Sequence, residues 1–114
     1  MKLNEICEKL NLKVIAVPEK LNKEVSGGYT SDLLSDVIAN ARKSNVWITM
    51  QTHLNIVAVA RLKELAGIIL VNDRQPEELT LKKAEEEKIP LLCTTLPAFE
   101  VSGRIYALIK AKGK

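Results

Sequence analysis

The chain has 114 residues, 46% of them hydrophobic and 27% charged, which is the size of one ordinary domain with one sizeable core. Seventeen basic against fourteen acidic residues give +3, with the lysines scattered among glutamates, so the basic stripe with interleaved aromatics expected of a nucleic-acid binder is missing. No apolar run approaches the ~18 residues of a membrane span, and Met1-Lys2-Leu3-Asn4-Glu5 lacks the apolar stretch of a signal peptide, so the expected protein is cytoplasmic, with neither nucleic acid nor membrane as partner.

Leu3, Ile6, Cys7 and Leu10 recur at helical spacing and Asn11 terminates them, which predicts a short amphipathic helix over 3–10. Its apolar stripe needs a partner. The β-branched run 13–17, closed by Pro18, reads as a first strand, and the polar residues 18–24 as a connection. Gly27-Gly28 reads as a glycine bend before Thr30-Ser31-Asp32, three capping-type residues that open a helix carrying Leu33, Leu34, Val37, Ile38 and Ala41 on one face.

From there strands and helices alternate: strand 46–50, helix 55–65, strand 67–71, helix 76–88, strand 90–93 and helix 97–110. This rhythm predicts βαβ units with right-handed crossovers, hence an α/β domain. Its core would be a single-layer, mostly parallel sheet with helices packed on its faces. Ala66-Gly67-Ile68-Ile69-Leu70-Val71 is continuously apolar, as a strand covered on both faces should be. The first strand and the Gly-Gly segment are candidates for an antiparallel edge pair. One domain over 1–114 is expected, with 110–114 a fraying tail. Cys7 and Cys93 lie far apart without CxxC spacing and are expected as packing residues, not a disulfide or zinc site.

In such a sheet the loops leaving the carboxyl ends of the strands converge on a crevice where ligands bind. Those loops hold Gly27, Gly28, Thr30 and Asp32; Thr52, His53 and Asn55; Arg74; and Thr94. These are the candidate ligand-binding residues. Gly27-Gly28 before a helix could hold an anion on free amides, although neither GxxxxGK[ST] nor GxGxxG occurs. His53, the only histidine, could donate a proton or bond a ligand near neutral pH, or serve only at a helix entry. Arg74 could clamp a carboxylate or phosphate, or pair locally with Asp73.

Asp32 and Asp36 are spaced to share a helix face, too few oxygen ligands for a hard cation, so Asp36 is expected to face solvent and no metal is expected. Glu85-Glu86-Glu87 reads as a solvated face. No nucleophile, base and orienter come together, so no catalytic residue and no cofactor is expected.

Two blocks carry a family resemblance: Gly27-Gly28-Tyr29-Thr30-Ser31-Asp32-Leu33-Leu34-Ser35-Asp36-Val37, and the segment from Trp47-Ile48-Thr49-Met50-Gln51-Thr52-His53 through Ala60. With Leu65-Ala66-Gly67, Lys83-Ala84-Glu85, Ile89-Pro90-Leu91-Leu92 and Phe99-Glu100, they make the chain resemble the small stand-alone DRTGG-domain proteins over about residues 10–108. The string that names the family is absent, Gly27-Gly28 being its nearest counterpart. The resemblance implies a compact α/β domain that elsewhere sits beside CBS domains in regulated pyrophosphatases and ahead of the catalytic part of some phosphotransacetylases. It implies a non-catalytic role in regulation or assembly, often as a homodimer.

The expected function is therefore a regulatory or sensor module binding a small anionic metabolite or nucleotide at the carboxyl ends of the strands. The alternative is a dimerisation or docking module for an enzyme or signalling protein, with Trp47, Tyr29 and Tyr106 as candidate interface aromatics, although the apolar neighbours of Trp47 favour a core place for it in its strand. An enzyme would need Asp32, His53 and Arg74 to converge.

Overall fold

Strands without a polar side need cover on both faces, and Val46-Trp47-Ile48 and Ile68-Ile69-Leu70 are such runs. In the computed structural model, which describes residues 1–113, helices supply that cover on each side of a five-stranded sheet. The elements are α1 (Leu3–Leu10), β1 (Lys13–Ala16), a 3₁₀ turn (Pro18–Lys20), β2 (Gly27–Thr30) and α2 (Leu34–Asn40). They continue with β3 (Asn45–Thr49), α3 (Asn55–Leu62), β4 (Gly67–Leu70), α4 (Glu78–Glu87), β5 (Leu91–Cys93) and α5 (Ala98–Lys112).

The sheet order is β1-β5-β4-β3-β2, parallel from β2 to β5, with β1 antiparallel beside β5. The α/β class expected from the sequence is the one found. The edge pair is not: β1 and the Gly-Gly segment lie on opposite edges, because β1 pairs with β5 through Lys13↔Cys93 and Val14↔Leu92. A bulge between Val14 and Ala16 turns both Ile15 and Ala16 toward one face.

Alternation along the buried strands divides the core in two. Trp47, Ile68, Leu70 and Leu91 pack under α2, α3 and α4, whereas Val46, Ile48, Ile69 and Leu92 pack under α1 and α5. The stripe of α1 thus finds its partner, and Cys7 and Cys93 are buried within these clusters. Burial pushes the Cys7 thiol up to about 11.

Three local expectations change. Gly27 and Gly28 are not a bend: both are extended members of β2, and neither has a positive φ. The helix expected at Thr30 starts at Leu34, since Thr30 ends β2 and Ser31 to Leu33 cross to the helix. The terminal segment is helical through Lys112, which pairs with Glu5 at 3.1 Å while Leu108 and Ile109 pack on the core. Lys114 lies outside the described residues.

Gly67 is the one glycine required by close approach. A Cβ there would meet Leu3 Cδ2 at 3.1 Å, the Pro90 carbonyl at 3.2 Å and Pro90 Cβ at 3.3 Å, and two of these atoms belong to rigid chain. Gly67→Ala should cost about 1–3 kcal/mol through overpacking, measured by urea unfolding, against near-neutral behaviour for Gly103→Ala, where a Cβ has open space.

Candidate functional site

β3 ends in Thr49, whose hydroxyl is buried and must find a partner. It donates to Asp32 Oδ1 at 2.8 Å, and the Met50 amide donates to the same oxygen at 2.7 Å. The Gln51 side-chain amide returns to the Asp32 carbonyl at 2.9 Å. Asp32 therefore does not cap its own helix. It fastens the exit of β2 to the exit of β3. Ser31 completes the crossing, its Oγ accepting the Leu33 amide at 3.1 Å and its carbonyl accepting the buried Trp47 indole N–H at 2.8 Å.

Around this anchor lies a cleft of about 210 Å³ lined by Asp32, Met50, Gln51, Thr52 and Arg74. Thr52 is held by its carbonyl, which accepts the Thr80 hydroxyl at 2.7 Å and the Glu77 amide at 3.2 Å. Arg74 is presented by a tight exit from β4 in which Asn72 and Asp73 both take positive φ, 57° each, positions where Asn and Asp are the tolerated non-glycines. The Asp73 amide donates to the Thr94 carbonyl and the Asn72 amide to the Leu96 carbonyl, each at 2.9 Å, and Cys93 Sγ donates to the Arg74 carbonyl at 3.6 Å. Among the described residues the Arg74 guanidinium has no ion pair or hydrogen bond, with Asp73 or otherwise.

The remaining expected site residues lie elsewhere. His53 is exposed and its Nδ1 accepts the Asn55 amide at 3.2 Å, so both serve the entry of α3. Thr94 Oγ1 accepts the Leu96 amide at 3.1 Å in the β5–α5 turn. Gly27, Gly28 and Thr30 face another hollow, an apolar groove of about 600 Å³ between β2 and α5 that also takes in Phe99, Gly103 and Tyr106. Thr30 Oγ1 and Ser102 Oγ meet across it at 2.7 Å. Phe99 is 92% exposed and Tyr106 66%. Of the candidate interface aromatics, Trp47 is wholly buried in the core, as its apolar neighbours favour, and Tyr29 is half-buried, which leaves Tyr106, with Phe99 beside it.

Asp36 does not simply face water. The Tyr29 hydroxyl donates to its Oδ1 at 2.8 Å and the Asn40 amide at 2.9 Å. Hydrogen bonds from Ser31, then Tyr29, then Asn40 hold its carboxyl below the ordinary carboxylate range, and the same bond raises the Tyr29 phenol. Asp32 and Asp36 are thus committed to different partners. The glutamate run is also tied in: Glu85 accepts the Val17 amide at 3.3 Å, and Glu87 pairs with Arg61 and with Lys83.

The geometry defines an α/β domain with a small polar cleft at the carboxyl edge of its sheet and an apolar groove along its outer strand. No family model and no curated protein sequence matches the chain. Among solved structures, it is similar to the regulatory region of Clostridium perfringens pyrophosphatase, comprising CBS and DRTGG domains, crystallised with its activator diadenosine tetraphosphate. The TM-score is 0.73 at 13% identity, covering 92% of this chain and 45% of that one. The likeness is one of fold, in line with the DRTGG-like fold expected from the sequence, and this chain spans less than half of that protein.

Asp32→Ala should leave the buried Thr49 O–H and the Met50 amide without their acceptor, although the Thr49 oxygen still accepts the Gln51 amide at 3.1 Å. The cost should be about 1–3 kcal/mol in urea unfolding, and clearly less for Asp32→Asn, which keeps an acceptor oxygen. Asp36 has a depressed carboxyl, so its contribution is present above its unfolded pKa and lost as pH falls through the folded one. Melting temperature followed from about pH 5 downward should decline less steeply in Asp36→Asn than in the wild type.

Proposed function

We infer that the chain is a DRTGG-like regulatory or sensor module, one domain over residues 1–114, that binds a small anionic metabolite at the carboxyl edge of its sheet. The observation that carries this reading is the unpaired Arg74 guanidinium on the rim of a polar cleft whose wall is fixed by Asp32. A guanidinium in that position offers bidentate bonds to a carboxylate or phosphate, and Thr52 and Gln51 offer further polar contacts. The cleft volume suits a small anion, or the charged end of a larger ligand, better than a whole nucleotide.

Support for a regulatory role comes from the fold, shared with a pyrophosphatase regulatory region that was crystallised with an activator. A non-catalytic role is favoured because His53 does not line the cleft shared by Asp32 and Arg74, so the three side chains an enzyme would need do not converge on one substrate position. Gly27, Gly28 and Thr30 are not part of this ligand site, and His53, Asn55 and Thr94 shape the loops around it.

Thermal-shift measurements with inorganic phosphate, acetyl phosphate and small di- and tricarboxylates test the reading. At about a hundred times Kd a true ligand stabilises by about 2.7 kcal/mol, and Arg74→Ala should abolish the shift. No stabilisation by any of them, with Asp32 and Thr52 amide resonances unmoved, would sink it.

A second reading has its own observation. Phe99 and Tyr106 stand exposed beside the groove along the open β2 edge, aromatic surface of the kind enriched at interfaces. In this reading the chain forms a homodimer, or docks on an enzyme or signalling partner, through that face. Sedimentation should then show concentration-dependent association that Phe99→Glu abolishes, and a strictly monomeric wild type at high concentration counts against the homodimer.

A further inference from the structure

The opposite edge of the sheet, where the parallel strands begin, carries a concavity of about 440 Å³. Its floor is apolar, from Ala60, Leu65 and Ile89, and its rim is charged. The carboxylates on that rim are all engaged. Glu64 pairs with Lys43 at 3.7 Å, Glu87 with Arg61, and Glu24 with the amino-terminal ammonium at 3.2 Å. Lys88 is taken by Glu19 at 3.3 Å. Lys20 and Lys23 are left without an ion pair among the described residues.

Arg61 and Lys88 stand at the carboxyl ends of α3 and α4, where cations complement the helix dipole. That does not account for Lys20 and Lys23, which come from the 3₁₀ turn and the loop after it. Lys23 is half-buried, and burial, then the neighbouring Lys20 charge, hold its ammonium below the ordinary lysine range. Two like charges on one rim, with the carboxylates beside them engaged elsewhere, form an arrangement that a bound anion relieves.

The backbone around the basin points the same way. On its rim Ser44, Glu64 and Lys88 have φ of 67°, 53° and 60°, and Val17, which starts the turn that presents Lys20, has φ 59°. Left-handed positions usually fall to glycine or asparagine, and a β-branched residue there is an outlier. Glu64 and Lys88 are the left-handed closings of α3 and α4, so the outlier is Val17, a β-branched residue held left-handed at the turn that presents Lys20.

We propose that this basin is a binding site for a small phosphorylated molecule, its phosphate seated between Lys20 and Lys23 and its body on the floor of Ala60, Leu65 and Ile89. The volume lies in the range of small-molecule sites, and two flexible ammonium groups suit a phosphate as point charges. The site is separate from the cleft at Arg74, and each can fail without the other.

The test is a titration of the full chain with inorganic phosphate, pyrophosphate and ATP at low ionic strength, followed by amide NMR shifts. Saturable shifts are expected at Lys20, Lys23, Ser44 and Lys88, with pyrophosphate and ATP tighter than phosphate. The double variant Lys20→Ala/Lys23→Ala should weaken binding about tenfold or more, and Arg74→Ala should leave it unchanged. Lys23→Gln, which keeps the aliphatic stem, provides a second variant. Shifts confined to Asp32, Thr52 and Arg74, shifts that grow without saturating, or an affinity indifferent to both lysine variants would overturn the proposal.

Discussion

A strand buried on both faces can place polar side chains safely only at its ends, and that constraint shapes this molecule. β3 is such a strand, yet it carries an indole N–H at Trp47 and a hydroxyl at Thr49, both buried. Each must be paired within the protein, because an orphaned polar group there costs about 1–3 kcal/mol. Both find partners in one short crossing: the Ser31 carbonyl takes the indole, and the Asp32 carboxylate takes the hydroxyl. Among the described residues no buried side-chain nitrogen or oxygen is left unpaired. The connection from β2 to α2 is therefore held by the needs of the neighbouring strand, and its rigidity gives the carboxyl-edge cleft one fixed wall.

The two ends of the sheet differ in electrostatics for a reason built into parallel topology. Helices that return a chain to the start of the next strand direct their amino ends to the carboxyl edge of the sheet and their carboxyl ends to the other. The cationic side chains of Arg61 and Lys88 at the amino edge answer the second condition. At the carboxyl edge the surrounding amides already favour negative charge, so one arginine there does more than one lysine at the opposite edge would. By the same asymmetry, an anion at the amino edge would have to be held by cations that no carboxylate pairs, as are Lys20 and Lys23 among the described residues.

The alternation of strand and helix was legible because burial on both faces leaves short, β-branched apolar runs, and the turn residues that bound them separate them from buried helix segments. The boundaries from β3 to α5 lay close for the same reason. What the sequence hid was the role of β2. Gly-Gly-Tyr-Thr lacks the apolar residues of a strand because it lies at an edge, with only one neighbour and with Tyr29 turned to Asp36. Its glycines read as a bend, a reading that puts them among the ligand loops.

Asp32, Thr52 and Arg74 were legible as loop residues at strand ends, and they do share a cleft. His53, Asn55 and Thr94 looked equivalent, since spacing does not tell a side chain that faces a ligand from one that caps its own turn. The amino-edge basin had no motif to announce it. Lys20 and Lys23 read as ordinary polar connection, and only the distribution of their neighbours' salt bridges separates them from other surface lysines.

β2 also joins the two features of the carboxyl side physically. Thr30, its last residue, touches Ser102 of α5 across the groove, and Asp32, two positions on, holds the exit of β3. The strand is only four residues long and is paired on one side, so its end is held by these anchors together with the bonds of Trp47 to the Ser31 carbonyl and Gln51 to the Asp32 carbonyl. A ligand at Arg74 that also donated a hydrogen bond to the Asp32 carboxylate would compete with the Thr49 and Met50 donors and so weaken the clamp between β2 and β3. Conversely, anything seated in the groove would steady Thr30 and with it the cleft. Linkage makes the two effects equal in free energy. A short, singly paired strand thus ties the polar cleft to the apolar groove, and a displacement of its end would alter both without rearranging the buried strands β3 and β4.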